Sequence, residues 1–133
     1  QVGKKNVEDG YFESLNAEKY FKNKEFETAA KSYTKAYGFN PTEVSYYENA
    51  ANAYMQLGED ETAIQILKEV ISKLSPKTGK AEYLLAIIYL GQEDYVFGCE
   101  YLTRSKQKGF GIPDIMFKNF CKSENKEQNK SSD

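Results

Sequence analysis

The sequence predicts an all-α fold, a solenoid of three helix-turn-helix units closed by a short capping helix. Three observations predict it. Residues of one kind recur every 34 to 35 positions. Helix start and stop signals punctuate each repeat twice, and small side chains return wherever two helices must cross. A fixed period of this length marks a repeat architecture, in which one supersecondary unit is stacked on the next. At 133 residues the chain fits one such domain.

The columns are specific. Tyr20, Tyr54 and Tyr89 are separated by 34 and then 35 residues, and Ala17, Ala51 and Ala86 keep the same spacing. So do Ala29, Ala63 and Gly98, and Tyr33, Leu67 and Leu102. Phe26, Asp60 and Tyr95 follow them, with Asp60 breaking the aromatic pattern. Pro41 and Pro76 place the one-residue insertion between Val70 and Pro76. Small residues at a helix crossing let the backbones approach, so Ala17, Ala51 and Ala86 should meet Ala29, Ala63 and Gly98 within their hairpins.

In the first unit the predicted helices run near 11–22 and 27–37, closed by Gly38. The second opens with Asn40 as N-cap, Pro41 at the first helical position and Glu43 reaching back as in a capping box. Gly58 ends that helix. The next, over 61–74, carries Ala63, Ile64, Leu67, Val70, Ile71 and Leu74 at helical spacing. The third unit has helices near 80–90 and 94–106, closed by Gly109. Pro113, Asp114 and the apolar positions Ile112, Ile115, Met116 and Phe120 then describe a short amphipathic helix that covers the end of the stack. The expected organisation is a loose segment 1–9, repeats at 10–43, 44–78 and 79–112, a cap at 113–121 and a disordered polar tail at 122–133.

This pattern resembles the tetratricopeptide repeat family, whose unit carries a small residue, Tyr, Ala, an aromatic or Leu, and a helix-ending Pro at fixed offsets. The stretch from Tyr11 to Phe110 matches it, with Glu13 and Glu82 standing where the family often has Trp, Asn16 where it prefers Leu, and Phe110 for the third Pro. The resemblance implies a right-handed αα superhelix and a non-catalytic scaffold that binds a peptide or helix of a partner protein.

The residues agree with a non-catalytic reading. There is no His, so the commonest general base and metal ligand is missing. The two cysteines lack partners at zinc spacing, and Gly109-Phe110-Gly111 reads as a turn rather than a phosphate loop. No cofactor or metal is expected. A net charge of −2, with Lys and Glu alternating and no basic face, argues against nucleic acid. No apolar run is long enough to span a membrane. The chain begins at Gln1, which leans the expectation toward a periplasmic or secreted protein cleaved from a leader rather than a cytoplasmic one; a trimmed chain is the alternative. Cys99 and Cys121 have two readings: a disulfide pinning the cap to the outer helix of repeat three, or unrelated thiols in a reducing compartment.

In the family the first helix of each pair lines the concave face, which implies a partner-binding set of Tyr11, Glu18, Phe21, Asn49, Asn52, Met55, Lys80, Tyr83, Leu84, Ile87 and Leu90. Repeat three stands out because Tyr83, Leu84, Ile87 and Leu90 make its first helix apolar all round. Such a helix must be covered on every side. The cover is the chain itself, a partner protein, or a second copy in a homodimer. Relatives that grip a terminal carboxylate do so with Lys, Asn, Asn, Lys and Arg. Here those places hold Ser14, Glu18, Asn49, Lys80 and Leu84, so acidic tails are not expected to bind.

Overall fold

A computed structural model describes residues 1–121, and every regular element among them is helical. The expected polar tail at 122–133 lies outside the described residues. The chain divides into two compact units, Gln1–Pro76 and the residues from Lys77 onward.

The first unit holds two hairpins: α1 (Lys4–Lys22) with α2 (Phe26–Phe39), and α3 (Val44–Gln56) with α4 (Asp60–Leu74). Helix α1 starts at Lys4, so residues 4–9, expected to be loose, form its opening turns. Two features favour this. Lys5 and Asp9 pair at 3.0 Å one turn apart. Gly10 is buried where a side chain would come within 3.0 Å of the Ala36 carbonyl, so α1 lies close on α2. The crossings follow the small residues. Ala17, Ala29, Ala51 and Ala63 have no exposed surface, and Ala29, Ala30 and Ala53 form a cluster packed by Tyr20, Phe21 and Tyr54.

Two helix-end assignments need correction. Gly38 does not close α2 but lies within its last turn; the helix ends at Phe39, with Asn40 as its C-cap. Asn40 in turn is not the cap of α3. Its Oδ1 accepts from the Thr42 N–H at 3.3 Å and from the Thr42 hydroxyl at 2.7 Å, which makes a local Asx turn. Helix α3 therefore begins three residues later, with Glu43 at the N-cap position. The Tyr47 hydroxyl donates to the Pro41 carbonyl at 3.0 Å, and its ring stacks on Tyr37 with centroids 4.1 Å apart, fastening this turn to both helices.

The hairpin turns repeat atom for atom. Lys24, Gly58 and Glu93 all take left-handed backbone, with φ of 63°, 75° and 62°. The following N–H groups, of Glu25, Glu59 and Asp94, donate back to the carbonyls of Tyr20, Tyr54 and Tyr89 at 2.8, 2.9 and 2.9 Å. This is the Schellman geometry, which satisfies carbonyls orphaned at a helix end. Only the second turn uses Gly at the left-handed position.

The second unit contains α5 (Lys80–Gly91), α6 (Tyr95–Gln107) and a cap, α7 (Asp114–Met116), that runs on as a π turn over Phe117–Cys121. Helix α6 begins one residue after the expected Asp94, whose carboxylate caps it by accepting from the Phe97 N–H at 3.1 Å. Leu90 of α5 fills the place that a side chain on Gly98 would occupy, since a Cβ there would lie 2.6 Å from its Cδ2. Ala86, Leu102 and Cys121 form the buried centre, packed by Tyr83, Tyr101, Ile112, Met116 and Phe117. Cys99 and Cys121 are joined as a disulfide, with Cα atoms 5.6 Å apart. Lys106 lies over the Phe117 ring at 5.0 Å, a second tie between α6 and the cap.

Candidate functional site

A cavity of about 410 Å³ opens in the first unit between α1 and α3. Helix α1 contributes Tyr11, Ser14, Leu15 and Glu18. Offsets of three, four and seven residues put them on one helical face. Tyr33 of α2 forms part of the wall, while Glu43, Ser45, Tyr46 and Asn49 come from the cap and opening turns of α3. Two walls are rigid for a local reason. Ala17 and Ala51 are fully buried, so both helices are held against their partners behind the cavity.

The polar groups here differ in how far the protein occupies them. The Ser14 hydroxyl donates to the Tyr11 carbonyl of its own helix at 2.6 Å. The Ser45 hydroxyl donates to Glu43 at 3.0 Å. Glu18 pairs with Lys22 one turn on at 3.1 Å, with both side chains largely in solvent. Tyr33 is 5% exposed and has no hydrogen bond among the described residues. Burial first, and the nearby Glu18 carboxylate second, push its phenol above the usual tyrosine value. The group is therefore a neutral O–H donor at any ordinary pH. The lining contains two carboxylates and no Lys or Arg.

Of the partner-facing residues inferred from the sequence, the structure brings Tyr11, Glu18 and Asn49 together in this cavity. Phe21 is placed differently: its ring meets Phe26 edge-on at 5.1 Å and packs on the alanine cluster. Asn52 and Met55 are half-buried on α3 outside the lining, and the Asn52 carbonyl oxygen lies 3.5 Å from Gln56 Nε2. In the second unit Lys80 is exposed at the start of α5, and Ile87 is half-buried. Tyr83 lies against Phe110, with centroids 5.0 Å apart.

Leu84 and Leu90, expected to face a partner, are 8% and 9% exposed. For Leu90 the reason is Gly98, whose missing side chain creates the hole that it fills. Of the covers weighed for α5, the chain itself supplies the one at these two positions.

Tyr33, Tyr46 and Glu43 also line the cavity, though none was inferred from the sequence to face a partner. Tyr33 stood in a column shared with Leu67 and Leu102, so it read as core. Its hydroxyl was the available signal, because the other two members of that column have none to satisfy.

The second unit has its own concavity, about 570 Å³, on the outer side of α6 beside the disulfide. Val96, Thr103, Arg104, Gln107 and Phe117 line it. Arg104 is already engaged, pairing with Glu100 at 3.3 Å and covering the Tyr101 ring at 5.1 Å. Among the described residues no group of three or more His, Cys, Asp or Glu is placed to hold a metal. None of their helices is long and apolar enough to cross a membrane.

No protein-family model matches the chain. Over 71 residues it is 39% identical to small glutamine-rich tetratricopeptide repeat-containing protein 2 of Mycosarcoma maydis. That match takes in 52% of this chain and only 20% of the relative, so the chain spans about a fifth of that protein's length. Among solved structures, the TPR domain of Arabidopsis OM64 superposes with a TM-score of 0.79 at 19% identity, over 88% of this chain and 98% of that one. The TPR2AB domain of yeast Sti1, solved as a pHSP90 complex, gives 0.79 at 22%, covering 92% of this chain and 50% of that one. The Sgt2 TPR domain of Aspergillus fumigatus gives 0.73 at 22%, covering 93% and 82%. At these identities the likeness is one of fold.

Proposed function

We propose, from the premise that this chain is built of tetratricopeptide repeats, that it is a non-catalytic scaffold whose α1–α3 groove receives a segment of a partner protein. The observation that carries the reading is Tyr33, whose ring is buried while its hydroxyl, without a hydrogen bond among the described residues, stays accessible in the wall of a cavity rimmed by exposed Tyr11 and Leu15. A hydroxyl that opens on a cavity without an internal partner is free to donate to a bound segment. Apolar anchors beside a few directional polar groups are what a peptide site requires. The solved pHSP90 complex of the yeast Sti1 domain supports the same use for this fold.

The test is a capture experiment. The natural chain and a Tyr11→Ala/Leu15→Ala variant, matched in helicity by circular dichroism, are used as bait. The reading expects a protein retained by the first and lost by the second. Identical capture by both would remove the groove from the account.

A second reading has its own observation. Val7, Tyr11, Phe12 and Leu15 form an exposed apolar stripe on α1, with Phe12 at 61% exposure. A homo-oligomer pairing two such stripes would bury it. Sedimentation decides: a mass that rises with concentration and falls back in Phe12→Ser favours self-association, and a constant monomer mass excludes it.

A further inference from the structure

We infer that the α1–α3 groove takes a cationic segment, presenting a Lys or Arg side chain to Glu18 and Glu43 with an apolar neighbour seated on Tyr11 and Leu15. This rests on the binding reading above and names the chemistry of its occupant.

Charge is the first ground. The groove wall carries Glu18 and Glu43 and no cation of its own. A carboxylate entering it would meet like charge, while an ammonium or guanidinium would meet complementary charge. Glu18 is paired across solvent with Lys22, and their side chains are 53% and 74% exposed. Such pairs contribute little. A ligand cation can therefore take the place of Lys22, which is free to swing away.

The second ground is independent of the acids. Tyr33, 5% exposed and without a hydrogen bond among the described residues, lines the same space. Its O–H is suited to a backbone carbonyl of a bound segment. The apolar rim supplies the third element, since Tyr11 and Leu15 are 55% and 36% exposed. A partner with a cation beside a Leu or aromatic residue meets all three. A small cation alone would leave the rim uncovered, and an acidic tail would fail the first.

The experiment uses three fluorescent peptides with identical leucines, carrying lysine, serine or glutamate at the intervening positions. Each is titrated by anisotropy into the natural chain, into Glu18→Gln/Glu43→Gln, and into Glu27→Gln/Glu61→Gln. The last removes the same charge from the exposed starts of α2 and α4. The lysine peptide should bind about tenfold more tightly than the serine peptide. That advantage should vanish in the groove variant and persist in the control, with the glutamate peptide weakest throughout. Equal binding of lysine and serine peptides, both lost in Tyr11→Ala/Leu15→Ala, overturns the cationic preference and leaves the groove reading standing. Equal loss in both charge variants overturns it too, as a general field effect. So does preference for glutamate, or no binding by any of the three.

Discussion

At the residue scale, the three equivalent turns offer an internal comparison. Lys24 and Glu93 hold φ of 63° and 62°, the same region that Gly58 occupies at 75°. A side chain there costs about 1–2 kcal/mol, against about 0.5–1 kcal/mol of chain entropy that glycine forfeits on folding. Lys24→Gly and Glu93→Gly should each raise stability by about 0.5–1 kcal/mol, while Gly58→Ala should lower it by a similar amount. Urea unfolding midpoints, at unchanged slope, read the difference. Gly98 tests packing instead. A Cβ there falls 2.6 and 2.8 Å from two Leu90 atoms, so Gly98→Ala should cost about 1–3 kcal/mol.

The buried phenols add a pH dependence whose sign can be worked out. Tyr33, Tyr37 and Tyr47 are all pushed above the ordinary value of 10.0, each mainly by burial. Glu18 adds to the effect for Tyr33, and Glu69 for Tyr37 and Tyr47. Below about pH 10 both folded and unfolded states keep these protons, so no stability is lost there. Above it the unfolded chain releases protons that the folded chain retains, and stability falls with rising pH. Phenolate absorbance should therefore rise together with loss of helicity. Full ionisation of all tyrosines before any unfolding would contradict this.

At the element scale, the cap depends on a covalent tie. Asp114–Met116 and the π turn Phe117–Cys121 are too short to be stable alone, and Cys121 holds them to α6 through Cys99 across 22 residues. By loop closure, such a crosslink contributes on the order of 3 kcal/mol. A reductant, or Cys99→Ser, should lower the melting temperature and raise amide exchange in the cap ahead of α5. Equal exchange with and without reductant would show that Lys106 and the apolar contacts hold the cap unaided. Helix crossings follow a different rule. Ala51 and Ala63 are fully buried, so either one changed to Leu should overpack its hairpin by about 1–3 kcal/mol.

At the scale of the molecule, what could be read in advance was what repeats. The alanine and tyrosine columns placed all six main helices to within a few residues, apart from the start of α1. Their spacing reflects a backbone constraint that any sequence with this fold must meet. What escaped was local competition and dual use. Lys4–Asp9 carries no periodic residue, and the Lys5–Asp9 pair and the close approach of Gly10 to α2 are what favour helix there. Asn40 and Pro41 read as a helix start, but the Thr42 hydroxyl and N–H drew the Asn40 side chain into a turn. Tyr33 was hidden in a core column because its ring is buried while its hydroxyl lines the cavity. Leu84 and Leu90 misled in the opposite sense, since an apolar surplus on α5 is satisfied inside the chain.

The proposed role of the α1–α3 groove as the binding surface is open to one direct measurement. A nitrogen-labelled sample titrated with the lysine–leucine peptide tests it residue by residue. The amide signals of Leu15, Tyr33, Ser45 and Asn49 should shift together and saturate at one affinity. Shifts confined to the outer side of α6, or none at all, would contradict it.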